Sequence, residues 1–169
     1  MKSLTRLYTL LIEGLATLAG LMIAAVCLLI AYDVIARNLG LQPPASTVAL
    51  TEYALLYFTM AAAPWLVRTR GHIIVEVLHS RLSGRVRAAT DWLILAICFL
   101  TSALIAVLAT ILAFEAWRLG EMEIRSLDMP RVFLFAPLAI GFGLMTTEFL
   151  RLALKGETVA NPDDRVEAL

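Results

Sequence analysis

The sequence predicts an all-α membrane protein: four transmembrane helices, both termini cytoplasmic, and an amphipathic interfacial helix between the second and third spans. Three observations carry that prediction. The 169 residues are 60% hydrophobic and only 17% charged, where a soluble domain carries about 25% charge. Four apolar runs stand out, Leu15–Tyr32, Tyr53–Val67, Trp92–Phe114 and Val132–Thr147, and the third is 23 residues without a charge. The basic residues, finally, crowd into alternate connections between those runs.

The first span is predicted over 10–32. Lys2 and Arg6 precede it, as they would a secretory signal, but the apolar run outlasts a typical signal core and no small-x-small site follows it. No cleavage is expected. Asn38, Gly40, Pro43 and Pro44 then break the chain, because glycine relaxes the backbone and proline lacks its amide donor. The second span, over 45–67, reaches crossing length only by absorbing Glu52. A hydrocarbon core of about 30 Å needs about 20 residues at about 1.5 Å each.

The interfacial helix is predicted over 73–87. On a helical projection Ile74, Val75, Leu78, Leu82 and Val86 share one face, with Glu76, His79, Ser80, Ser83 and Arg87 opposite. Arg81 and Arg85 fall at the border, where arginines reach lipid phosphates while their stems stay in the acyl region. The third span covers 92–114. An outer connection follows, in which Glu121 and Arg125 stand four apart, acid first, as Asp33 and Arg37 do after the first span; that order suits an intrahelical pair. The fourth span, over 132–152, absorbs Glu148. Residues 1–155 therefore form one transmembrane domain, and 156–169 a short polar cytoplasmic tail.

Sidedness follows from Lys and Arg alone. Lys2, Arg6, Arg68, Arg70, Arg81, Arg85, Arg87, Arg151, Lys155 and Arg165 lie on one side, and only Arg37, Arg118, Arg125 and Arg131 on the other. The richer side is cytoplasmic. Tyr8, Trp65 and Trp92 near the inner interface, and Tyr32 and Trp117 near the outer, agree with that assignment.

Inside the spans, Pro64 and Pro137 each free a carbonyl one turn earlier, and in lipid that group needs a neighbouring helix or side chain. Both kinks should face protein. Small residues recur at four-residue spacing, as Ala16, Gly20 and Ala24, as Ser102, Ala106 and Thr110, and as Ala139, Gly143 and Thr147. Such rows admit close helix packing, within this bundle or against another subunit. Cys27 and Cys98 read as small hydrophobes.

Chemistry is sparse. Around Ile23, Phe58, Ala103 and Ile140 the mid-helices carry no ionisable group, although such groups mark ion and proton paths. A complete ion-coupled pump in one chain is therefore not expected. His72 and His79 belong to the surface segment, which disfavours a haem or quinone anchor. There is no phosphate-cradling loop, no cysteine cluster and no nucleophile in a recognisable setting. Neither an enzyme nor a cofactor, metal or nucleic-acid binder is expected.

Several segments together carry a resemblance: Asp33-Val-Ile-Ala-Arg37 closing the first span, Thr51-Glu52 in the second, the Ala61-Ala62-Ala63 run, and Arg70-Gly71-His72-Ile73-Ile74-Val75-Glu76. With the four-span order, they resemble the small membrane subunit of tripartite ATP-independent periplasmic transporters, the DctQ-like family. The family often has an aromatic after the arginine, paired acids in the second helix and Asp in the last motif; here Asn38, Tyr53 and Glu76 stand there. The resemblance implies an accessory permease subunit in the bacterial inner membrane. Its implied partners are a large multi-span membrane subunit, driven as an elevator by a sodium or proton gradient, and a periplasmic solute-binding protein that delivers an organic acid. Arg37, Glu52, His72 and Glu76 would hold this brace together or meet the large subunit, and Arg81 and Arg85 the lipids. A self-contained small multidrug antiporter, using Glu13, is the rival reading.

Overall fold

The computed structural model describes residues 2–42, 46–69, 84–124 and 128–155. Four helices dominate it: α1 (Lys2–Asn38), α2 (Ser46–Arg68), α3 (Gly84–Leu119) and α4 (Val132–Lys155). Between α3 and α4 a small antiparallel hairpin pairs β1 (Met122–Ile124) with β2 (Asp128–Pro130). Three helices are long and apolar enough to cross a membrane: α1 over Arg6–Asn38, α3 over Ala89–Leu119 and α4 over Val132–Lys155. Helix α2 has 23 residues, and Glu52, Pro64 and its tyrosines dilute its apolar character. Each expected span lies within one of these helices, apart from Ala45, which falls outside the described residues.

Two helix ends are set by glycines. Gly40 adopts φ 74° and Gly120 φ 60°, the left-handed conformation that stops an α-helix. After α1 the amide of Leu41 reaches back to the carbonyl of Ala36 (2.9 Å) and that of Gly40 to Arg37 (3.1 Å). After α3 the Glu121 amide reaches back to Ala116 (3.2 Å). Otherwise orphaned carbonyls are thereby satisfied. The second case overturns one expectation: Glu121 lies beyond the helix, so no helical Glu121–Arg125 pair forms, and its carboxylate goes to Arg131 instead. At the other end α3 opens at Gly84, so Gly84–Arg87, expected to close the interfacial helix, belong to the helix that carries the third span. Residues 73–83 of that interfacial helix lie outside the described residues.

The helices pack in the order α1–α2–α4–α3. Along α1 the shielded side chains are Ile12, Leu15, Ala19, Met22, Val26, Leu29, Asp33 and Ala36, a seam with alternating steps of three and four residues that suits knobs-into-holes packing against α2. Helices α2 and α4 run parallel, and α4 and α3 antiparallel, with Ser102 of α3 opposite Thr146 of α4. A core of Val67, Leu95, Phe149 and Leu152 joins α2, α3 and α4 at one end. The remaining helix faces are strongly apolar and open, with Leu7, Leu28, Leu100, Phe114 and Leu154 all more than 60% exposed, as side chains facing lipid are.

Candidate functional site

The two mid-helix prolines organise the joint between α2 and α4. Pro137 cannot donate to the carbonyl of Phe133 one turn earlier, and the Tyr57 hydroxyl of α2 donates to that oxygen at 3.0 Å. Pro64 likewise leaves the carbonyl of Met60 without its helical donor. Gly141 of α4 presses against it: a side-chain carbon there would sit 3.0 Å from the Met60 oxygen and 2.9 Å from its Cβ. Helix α2 thus supplies a donor to the carbonyl that Pro137 frees in α4, and α4 packs Gly141 closely over the carbonyl that Pro64 frees in α2. Both prolines are buried, so the expected protein-facing placement is met.

Polar contacts collect at the two ends of the helices. At the end that holds the α1 N-terminus, the hydroxyls of Tyr8 and Thr147 share a 2.7 Å hydrogen bond between α1 and α4. Arg68 at the close of α2 donates through Nη2 to Thr9 of α1 at 2.7 Å. Its Nη1 is buried without a hydrogen bond. Glu148 of α4 is 1% exposed and faces Arg151 at 3.6 Å, an ion pair too long to be a hydrogen bond, so its Oε1 also lacks one. Asp91 of α3 is buried at the same end. The sequence reading placed Glu148 and Arg151 as a flanking acid and a loop cation; their three-residue spacing was the signal that they share a face.

At the opposite end Arg131 grips two carboxylates, Nη1 on Glu121 at 2.8 Å and Nε on Glu123 of the hairpin at 3.0 Å. Hydrogen bonds to Glu123 and then Glu121 hold its guanidinium above the usual arginine range. The Arg131 amide also donates to the Glu121 carbonyl at 3.0 Å. This fork ties the start of α4 to the end of α3.

The expected site residues are dispersed. Arg37 pairs with Asp33 on its own helix at 2.8 Å, as their spacing predicted. Glu52 is exposed on α2 and lines a small open pocket with Tyr53, Leu56, Glu123 and Leu134. The Arg37 guanidinium therefore has its partner within α1, and Glu52 looks onto the hairpin. Arg85 lies in the first turn of α3. His72, Glu76 and Arg81 are outside the described residues. Glu13, the residue a lone antiporter would need, is exposed on α1, off the seam that faces α2.

Between the two ends the contacts are neutral. Ser102 and Thr146 bring their hydroxyls to 3.2 Å across α3 and α4. Thr59 and Thr110 turn theirs onto carbonyls of their own helices, at 2.6 and 2.7 Å, which satisfies them without a partner helix. Among the described residues no three His, Cys, Asp or Glu side chains gather as metal ligands would.

One family model matches, described as tripartite ATP-independent periplasmic transporters, DctQ component, over residues 26–156. No curated protein and no solved structure matches.

Proposed function

The chain belongs to the DctQ component family of the tripartite ATP-independent periplasmic transporters, and on that premise we propose that it braces the large subunit of a secondary transporter that takes up organic acids on an ion gradient. It is a multi-pass protein of the inner membrane. The observation that carries the bracing role is where its polar groups are spent. Charged side chains cluster toward the helix ends, and mid-helix polar atoms are consumed in joints between helices or on their own helix, which leaves no ionisable path through the bundle among the described residues.

In this reading α2 also crosses the membrane, as the second span, and both termini are cytoplasmic on the strength of the Lys and Arg distribution. Residues 73–83 lie on the cytoplasmic surface and lead into the first turn of α3, with Arg81 and Arg85 on lipid phosphates and His72 and Glu76 toward the large subunit. Arg37 and Glu52 work at the outer side. The large subunit carries the transport path, and a periplasmic solute-binding protein selects the substrate.

Copurification and uptake test this reading. A tagged chain should bring down a large multi-span membrane protein from detergent, and its deletion should abolish uptake of an organic acid dependent on a sodium or proton gradient. Glu52→Gln should weaken assembly or uptake. Unchanged copurification and unchanged uptake in that variant would remove Glu52 from the contact.

A further inference from the structure

The two outer helices of the row present different chemistry. Helix α3 carries one unbroken stripe of large exposed side chains, from Leu93 through Ile97, Leu100, Leu104, Val107 and Ile111 to Phe114. Its steps of three and four residues keep these side chains on one face. The stripe is about 31 Å long at about 1.5 Å per residue, the thickness of the hydrocarbon core. Trp92 sits at one end of it and Trp117, 74% exposed, at the other, the positions where tryptophan settles among head groups. Beyond Trp117 the exposed Leu119 and Met122 carry the apolar surface onto the hairpin, whose Glu123 turns instead toward Arg131 and the pocket beside α2. The exposed side of α1 differs: Glu13, Gly14, Thr17, Gly20 and Ala24 interrupt its large side chains.

We infer that the α3 edge, with the apolar side of the hairpin, stays on lipid in the assembled transporter, so that Trp92 and Trp117 fix the depth of the subunit and its partner binds elsewhere. The flanking tryptophans and the lack of small residues along the stripe name the occupant, because tryptophan settles among lipid head groups and large unbroken aliphatic rows give membrane helices little close contact. The inference rests on the transporter reading for the existence of a partner.

Spin labels separate the two. In a Cys27→Ser, Cys98→Ala background, Leu104→Cys and Ile111→Cys each take a nitroxide, and collision with oxygen and with a water-soluble nickel chelate is measured in nanodiscs, for the chain alone and for the copurified complex. High oxygen and low nickel accessibility at both sites, unchanged on assembly, is the expected result. A several-fold fall in oxygen accessibility in the complex would mean that the partner covers α3 and overturns the inference, as would high nickel accessibility in the chain alone. Failure of any large subunit to copurify overturns the transporter reading instead.

Discussion

At Tyr57 a single hydroxyl stands in for a backbone amide that Pro137 lacks. Tyr57→Phe leaves the Phe133 carbonyl unpaired, an expected loss of about 1–3 kcal/mol in detergent unfolding. In a Pro137→Ala background the restored amide should absorb most of that loss. Equal cost in both backgrounds would show that the hydroxyl and the proline are not coupled. Gly141 makes a second test, since Gly141→Ala forces α4 away from Met60 at about 1–3 kcal/mol. Gly143→Ala, two residues on and with open space around it, should change stability by no more than about 0.5 kcal/mol. Glu148 poses the opposite problem, a buried carboxylate with one long-range cation. Arg151→Ala should cost several kcal/mol, because a carboxylate is left buried alone, and adding Glu148→Gln should recover much of it. If the double variant is no more stable than Arg151→Ala, the pair does not matter to the fold.

Among the elements, the hairpin between α3 and α4 departs most from what the sequence predicts. The spacing of Glu121 and Arg125 reads as one more turn of helix, and pair spacing is blind to the backbone of the residue before it. Gly120 in the left-handed conformation decides the matter by ending α3 one residue earlier. Arg131 then collects the two freed acids. Arg131→Gln should speed amide exchange across residues 121–131 without altering α3, and added salt should narrow the gap between variant and parent, because exposed ion pairs are screened. Exchange rates that do not respond would mean that backbone pairing alone holds the hairpin. The three helices apolar enough to cross a membrane, by contrast, were legible because apolar length is nearly the whole signal in lipid. The need of each proline-freed carbonyl for a partner was legible too. Which side chain met that need was not, since Tyr57 and Phe133 lie far apart in the chain and nothing local links them.

Over the whole molecule, α1 is the helix with the least support. It packs along α2 and touches α4 near its own N-terminus through Tyr8 and Thr147. In the sequence Arg68 is a charge at the edge of a loop, and its contact with Thr9 depends on a helix pairing that sequence periodicity does not reveal. Tyr8→Phe combined with Thr9→Val removes both ties. The expected outcome is faster amide exchange in the first turns of α1, with α2 to α4 unaffected and, on the bracing role, weaker copurification of the large subunit. Unchanged exchange would assign the attachment of α1 to its apolar seam alone. The expected contact set Arg37, Glu52, His72, Glu76, Arg81 and Arg85 was chosen by residue type, which selects charges free to meet others; the groups that join these helices are mostly hydroxyls, carbonyls and a glycine.

The reciprocal prolines of α2 and α4 have a mechanical consequence. Slipping one helix past the other by a single turn, about 5.4 Å, would strip the Phe133 carbonyl of its tyrosine and drive a side chain against Met60 in the same movement. The pair therefore has one notch and no neighbouring one to click into. On the proposed bracing role, that single setting is what a fixed scaffold requires.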